Sequence, residues 1–169
     1  MDTKTIIKII SASRTKEYYI TQRKDFKIET ILDSADASVA FSVPDQVYPI
    51  TCESYVVVEH QEYIVKEISP VKNGYRDVKA ILNLEDLEGK LFSTYEKKAT
   101  AEAHLEEALK DTGWKLRCQL DDNTELTIED ENTTAKAIID QVREIFGIEV
   151  RYDTQSKVLY AARQIGDDE

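Results

Sequence analysis

The sequence predicts an α+β protein in which an N-terminal antiparallel β sandwich or barrel-like domain precedes an α+β domain built from a duplicated helix-strand-strand (αββ) unit. Three observations support this fold class. Short segments of alternating apolar and polar residues dominate residues 1–98. The apolar period becomes helical after Thr100, and two C-terminal stretches are similar to each other. We therefore place the domains at 1–98 and 99–165, with an acidic tail at 166–169.

About seven short strands joined by tight turns are predicted within residues 1–98. Residues 26–30 alternate between apolar or β-branched and charged side chains, which is typical of a half-buried strand. Pro44 cannot donate a hydrogen bond to a sheet, so it should end the strand at 37–43. The other predicted strands are 5–10, 18–20, 54–58 and 63–68, with β structure continuing to about residue 98.

Asn73-Gly74 is the strongest local signal in the chain. Both residues tolerate positive φ, as a type I′ hairpin turn requires. We expect Val71 to pair with Arg76, within strands that reach back to about residue 64 and forward to residue 84. A second, polar turn is expected around His60-Gln61, although it contains no glycine.

The C-terminal part contains two predicted helices, each followed by two strands. Thr100 is a good N-cap, and Gly113 and Gly147 stand where left-handed residues commonly end helices. The predicted strands begin at about residues 114, 126, 148 and 158, and a turn at 121–123 is expected to return the chain from the first of them to the second. The apolar helix faces comprise Ala101, Leu105, Ala108 and Leu109, and then Ala135, Ile138, Ile139, Val142 and Ile145.

These two stretches form an internal repeat. Residues 99–117 align without a gap on residues 133–151, an offset of 34. That period invites a tetratricopeptide interpretation, but a helix-strand-strand order excludes it. We expect αββ units at 99–132 and 133–165, packed about a pseudo-two-fold axis so that each covers the other's helix.

The charge is concentrated in the C-terminal part. The formal net charge is −11, with 14 basic and 16 acidic side chains in residues 1–98 against 8 and 17 in residues 99–169. Such a surface repels phosphate backbones and anionic membranes, which argues against specific nucleic-acid binding. No segment has the length and apolarity of a membrane span or a signal peptide.

No active site is evident, so we expect no catalytic, cofactor-binding or metal-ligating residues and no cofactor. His60 is placed in a turn and His104 on a helix surface, and the two cannot form a catalytic triad alone. Cys52 and Cys118 are expected to be reduced and buried. Residues 121–125 mimic the start of a calcium loop, but Leu126 occupies the position of its required glycine, so a solvated turn is the better interpretation.

Five tyrosines leave a binding function open. They could line a platform for sugars, whereas ordinary strand positions are the simpler explanation. They are Tyr18, Tyr19, Tyr55, Tyr63 and Tyr75.

Several segments, in their order and spacing, resemble the N-terminal region of phage and prophage tail proteins of the prophage endopeptidase tail, or phage minor structural, family. The similarity covers most of residues 20–165, and the His60-Gln61 turn departs from it. The segments are Phe41-Ser42-Val43-Pro44, residues 62–66, residues 80–92, Ala108-Leu109 with Thr112-Gly113-Trp114, and residues 146–157.

This resemblance implies a structural role. Members act as baseplate hubs that close the tail tube as a homotrimer and connect it to the host-contacting tail tip. The expected partners are the distal tail protein, tail tube proteins and the tape measure protein. The expected location is the virion tail, assembled in the bacterial cytoplasm. Endopeptidase or cell-wall hydrolase activity belongs to later segments of the family, so no enzymatic activity is expected here.

Three alternatives are also compatible with the sequence. The chain could be a cell-wall or carbohydrate-binding module that uses its tyrosines, or the hub of a related contractile secretion system. An enzyme would require a pocket with convergent polar groups. Within the hub hypothesis, the acidic C-terminal part would line a passage and keep DNA from adhering.

Overall fold

The computed structural model describes residues 5–31 and 36–163. The chain divides into two compact units, Met1–Asn83 and Leu84–Glu169. The acidic tail predicted at 166–169 lies outside the described residues. Within the described ranges, no helix is long and apolar enough to cross a lipid bilayer.

The first unit is one antiparallel sheet of seven strands. Their order in the sheet is β2-β1-β5-β6-β7-β4-β3, and the register shifts between Lys24 and Lys27 and between Val65 and Glu67. The strands are β1 (Ile7–Ile10), β2 (Glu17–Ile20), β3 (Lys24–Ile31), β4 (Asp36–Pro44), β5 (Tyr55–Val58), β6 (Gln61–Ile68) and β7 (Tyr75–Leu82).

One face of this sheet carries the core of the unit. Ile9, Val56 and Tyr63 are lateral neighbours on three adjacent strands, and all three are buried. Phe41 on β4 lies opposite Val78 on β7 and is also buried. The sequence left a sandwich and a barrel-like form open, and the described strands form a single curled sheet. Curling removes this apolar face from water without a second sheet.

The Asn73-Gly74 turn is confirmed. Both residues have positive φ, 54° and 81°, and Lys72 and Tyr75 exchange backbone hydrogen bonds of 2.8 and 3.0 Å. The prediction that Val71 pairs with Arg76 is wrong, because β6 ends at Ile68, just before Pro70, which lacks an amide hydrogen.

The other predicted turn lies one residue earlier than expected. Val58 pairs with Gln61, so the two-residue loop is Glu59-His60 rather than His60-Gln61. Glu59 and His60 have φ values of 49° and 68°, the left-handed region that a type I′ turn demands of both residues. Neither residue is a glycine or asparagine, so this turn carries backbone strain.

Replacing Glu59-His60 with Asn-Gly should therefore stabilise the protein by about 1 kcal/mol, because the strain removed exceeds the entropy that glycine adds to the unfolded chain. Chemical denaturation would measure the difference. The reciprocal change, Asn73→Glu with Gly74→His, should destabilise it. A loss of stability in the first variant would contradict the strain argument.

The second unit has one short helix, two longer helices and five strands in the described ranges. Strands β8 and β10 form a two-stranded antiparallel ribbon, and the other three form a sheet ordered β11-β12-β9. The elements are α1 (Glu85–Glu88), β8 (Leu91–Ala99), α2 (Ala101–Leu109), β9 (Lys115–Gln119), β10 (Leu126–Thr134), α3 (Ala135–Phe146), β11 (Ile148–Asp153) and β12 (Val158–Arg163).

The division between the units precedes the predicted domain boundary at residue 98. Segment 84–98 contains α1 and β8, and β8 pairs with β10 along almost its entire length. Its alternating pattern is indistinguishable from that of the strands before it, so the sequence could not show where its partner lies.

The helix-strand-strand order of both predicted units is present, but their strands pair differently. β11 and β12 form the expected antiparallel hairpin. The expected return at 121–123 is wrong as a hairpin turn, because β9 pairs in parallel with β12, whereas β10 pairs with β8. The duplication itself stays a prediction.

The helix caps follow the sequence closely, with one exception. The hydroxyl oxygens of Thr100 and Thr134 accept hydrogen bonds from the amides of Ala103 and Ala137, at 3.2 and 3.1 Å. Gly147 ends α3 in the left-handed conformation, as predicted. α2 ends earlier than expected, at Leu109, so Gly113 lies beyond the helix, with a φ of 87°.

Replacing Gly113 or Gly147 with valine should lower the free energy of unfolding by about 1 kcal/mol or more, because a β-branched residue is strained at positive φ. A Cβ at either glycine would have no other atom within 4 Å, so strain alone would act. Thermal melting measures the effect, and Gly→Asn at the same positions should cost less. Unchanged melting of both valine variants would exclude this explanation.

Candidate assembly surfaces

The described residues contain no cluster of histidine, cysteine and acidic side chains that could hold a metal ion. His60 is exposed in its turn, as predicted. The expectation that His104 is a surface histidine is wrong, because its side chain is fully buried. It lies between Ala101 and Ala108 on the apolar face of α2.

His104 is the centre of a buried hydrogen-bond network. Its Nε2 lies 2.9 Å from the carbonyl oxygen of Leu126, and its Nδ1 lies 2.7 Å from the hydroxyl of Tyr95. A carbonyl only accepts, so Nε2 carries the hydrogen, and in the neutral ring Nδ1 accepts from Tyr95. The network joins β8, α2 and the start of β10 and therefore helps to hold the second unit together.

Replacing Tyr95 with phenylalanine should flatten the alkaline pH dependence of stability. Burial, with a smaller contribution from Glu107, raises the pKa of Tyr95 to about 12. The folded state thus holds the Tyr95 proton more tightly than the unfolded state does. The resulting contribution to the free energy of unfolding is complete below about pH 10 and is lost as the pH rises to about 12. The free energy of unfolding, measured between pH 8 and 12, should decline less steeply in the variant than in the wild type. Identical slopes would contradict the prediction.

The cysteines only partly match their prediction. Both are free, but Cys52 is exposed and Cys118 is partly exposed, so the expectation of buried thiols is wrong. Burial is the main cause that raises the pKa of Cys118, with hydrogen bonding to Glu102 adding to it. A raised pKa disfavours the reactive thiolate.

The loop that mimics a calcium site closes on itself. Asp122 accepts hydrogen bonds from the amide and the hydroxyl of Thr124, at 2.9 and 2.6 Å. Both bonds lower the pKa of Asp122, and the bond from the Thr124 hydroxyl contributes the larger part. The loop is exposed, as a solvated turn would be.

The five tyrosines do not form a common platform. Tyr63 is buried in the core, whereas Tyr19 is 58% exposed. Tyr18 stacks on Tyr48, Tyr55 lies under the guanidinium of Arg14, and Tyr75 contacts Lys24. The geometry therefore gives no support to a tyrosine-lined sugar site.

The first unit offers two open sheet edges. β2 and β3 each have one neighbouring strand in the described ranges, so their outer peptide groups can pair with another chain. β3 carries alternating charges and an irregular register near Asp25, features that discourage indiscriminate pairing. β2 is short and displays Tyr19.

A groove of about 470 Å³ lies beside the β2 edge. Ile6 and Tyr19 are 68% and 58% exposed there, a large apolar area to leave in water. Lys8, Glu59 and His60 give the groove a polar rim. An apolar centre with a polar rim is typical of protein interfaces.

Two side chains fix the short link between β2 and β3. The hydroxyl of Tyr48 accepts hydrogen bonds from the amides of Thr21 and Gln22, at 2.9 and 2.8 Å. Burial alone would raise the pKa of Tyr48, but these bonds and one with the Thr21 side chain lower it. Arg23 donates to the carbonyl of Thr5 at 2.7 Å. The link is thus held to the body of the unit.

Arg14 and Glu62 fix the turn between β1 and β2. The guanidinium of Arg14 donates to both carboxylate oxygens of Glu62, at 3.1 and 2.8 Å, and the hydrogen bond is the main cause that raises the pKa of Arg14. Asn83 donates to the same carboxylate at 2.6 Å. No local pattern in the sequence indicates this set, because its members are far apart in the chain.

Comparison with known proteins finds similarity to phage and prophage tail proteins. Residues 93–165 match the model of the prophage endopeptidase tail domain. The resemblance to phage and prophage tail proteins is thereby confirmed, through a match that lies in the second unit. None of the curated proteins matches the sequence.

Solved structures of tail proteins share the fold. Prophage tail protein gp18 from Listeria monocytogenes aligns with a TM-score of 0.78 at 20% identity, over 94% of this chain and 50% of that one. The 43 kDa tail protein of prophage MuSo2 from Shewanella oneidensis gives 0.62 at 14%, over 96% and 56%. A tail protein from Neisseria meningitidis gives 0.60 at 13%, over 93% and 50%. This chain thus spans about half the length of each.

Proposed function

We propose that this chain is a structural component of a phage or prophage tail tip, a baseplate hub that closes the tail tube as a homotrimer. The observation that carries the proposal is the fold, which corresponds to that of gp18 over 94% of the chain with a TM-score of 0.78. The family domain in the second unit supports it independently. The role is non-enzymatic, and its location is the virion tail.

The first unit is suited to contacts with other tail proteins. We assign the β2 edge and the groove of Ile6 and Tyr19 to the distal tail or tube protein, with the tape measure protein as a further partner. An open edge supplies backbone hydrogen bonds, and the exposed apolar side chains supply a desolvated centre. The fixed β1–β2 and β2–β3 connections keep this surface ordered before binding.

Labelling of assembled particles would test the location. Antibodies against the chain should mark one end of the tail in electron micrographs of induced particles. Label along the whole tube, or none on particles that contain the protein's neighbours, would contradict the proposal.

Binding of the purified chain to the distal tail or tube protein of the same phage would test the surface. Tyr19→Glu should weaken binding at least about tenfold, because it places a charge in the apolar groove. Tyr19→Phe is the matched control and should bind as the wild type does. Equal binding by both variants would exclude the groove.

A further inference from the structure

Acidic side chains face one another on the exposed side of the β8–β10 ribbon. Glu96 lies directly opposite Glu129, and Glu131 is two residues further along β10 on the same side. All three are exposed, and none forms an ion pair within the described part of the chain. Lys98 shares this side without pairing to them. Like charges in directly opposite positions destabilise a strand pair.

Basic side chains lie on the exposed face of the three-stranded sheet. Arg151 and Arg117 are the lateral neighbours of Tyr160 on either side, and Lys115 is two residues before Arg117. Arg151 lies over the Tyr160 ring, 4.3 Å from its centre. Neither Arg117 nor Lys115 has an ion-pair partner among the described residues.

Two carboxylates share this face, and they limit its positive charge. Glu149 is exposed beside Arg151. Asp153 accepts hydrogen bonds from the amides of Gln155 and Ser156, both at 3.1 Å. Its carboxylate is therefore engaged by the backbone of the turn that follows it. Three cations, Lys115, Arg117 and Arg151, therefore share this face with one exposed carboxylate, Glu149, and the face is net positive in a chain whose formal net charge is −11.

We infer that these are the two halves of one interface between copies of this chain. The basic face (Lys115, Arg117, Arg151 and Tyr160) of one copy docks on the acidic ribbon (Glu96, Glu129 and Glu131) of the next. Two different complementary surfaces on one chain produce head-to-tail contacts, which form a ring when the rotation between successive copies closes and an open filament when it does not. The inference rests on the homotrimer of the proposed function and names its contact. The facing glutamates would be a cost in the single chain that assembly offsets.

Charge reversal with light scattering over a concentration series would test the contact. The wild-type chain should approach three times 19.4 kDa. Arg117→Glu with Arg151→Glu, and separately Glu96→Lys with Glu129→Lys, should each weaken association at least about tenfold. The chain that carries all four substitutions should regain it. Glu106→Lys with Glu144→Lys changes the charge equally on other exposed positions and should leave association unchanged.

Glu96→Gln provides a second measurement that removes a charge without reversing it. It should raise the melting temperature of the dilute single chain by about 1–3 °C, because the repulsion from Glu129 is relieved, and yet weaken association. Far-ultraviolet circular dichroism would check the fold of every variant.

A wild type that stays monomeric at all concentrations would overturn the inference, as would association that the four substitutions fail to restore. Loss of tail-partner binding with unchanged self-association would assign the acidic ribbon to a different protein and overturn it as well. The antibody labelling of particles is independent of self-association, so failure of the proposed function would be recognised separately.

Discussion

Replacing His104 with alanine should lower the free energy of unfolding by about 3–5 kcal/mol. The imidazole is fully buried, and its loss leaves a cavity beside Tyr95 and Phe146 in the second unit. It also leaves the Tyr95 hydroxyl and the Leu126 carbonyl without the partners they have at 2.7 and 2.9 Å. An unsatisfied buried polar group costs about 1–3 kcal/mol, which adds to the cavity cost.

Chemical denaturation at neutral pH would measure this loss. Tyr95→Phe removes one hydrogen bond but little volume, so it should cost less than His104→Ala. His60→Asn is the control for histidine removal, because His60 is exposed and asparagine tolerates its φ of 68°. A loss below about 1 kcal/mol for His104→Ala would show that the network contributes little.

The burial of His104 was accessible from the sequence, although not as a functional signal. Position 104 is three residues after Ala101 and four before Ala108, so helical spacing places it on the apolar face. The chemistry of a histidine suggests catalysis, whereas this position on the helix predicts burial. Its partners, Tyr95 and Leu126, lie on two strands whose pairing no local pattern indicates.

Local features of the fold were predictable because their causes are local. The Asn73-Gly74 turn, the Thr100 and Thr134 caps and the left-handed Gly147 each depend on a few adjacent residues. The parallel pairing of β9 with β12 was not predictable, since it depends on contacts between residues about 43 positions apart, such as Leu116 and Leu159.

The same distinction applies to the candidate surfaces. Exposure of Ile6 and Tyr19 follows from which strand lies at the sheet edge, and strand order is a property of the whole unit. The facing Glu96 and Glu129 become neighbours only through the β8–β10 register. The family resemblance indicated a tail protein without indicating either surface.

Replacing Glu62 with alanine should lower the free energy of unfolding by about 2–3 kcal/mol. Its side chain is only 13% exposed, and its carboxylate accepts two hydrogen bonds from Arg14 and one from Asn83. Charge-assisted bonds to a buried carboxylate contribute more than neutral ones. Arg14 is 48% exposed and regains water when Glu62 is removed, which keeps the loss below that of a fully buried pair.

A double-mutant cycle with Arg14→Ala would isolate the pair, and the coupling energy should be about 1 kcal/mol. Glu53→Ala is the matched control, because Glu53 pairs with Lys66 at 3.0 Å while 54% exposed, so it should change stability by less than about 0.5 kcal/mol. Loss of Glu62 also releases the β1–β2 turn beside the exposed edge. Binding of the distal tail or tube protein should therefore weaken in Glu62→Ala and remain unchanged in Glu53→Ala. Equal stability of the two variants would show that the Arg14–Glu62 contact does not order this edge.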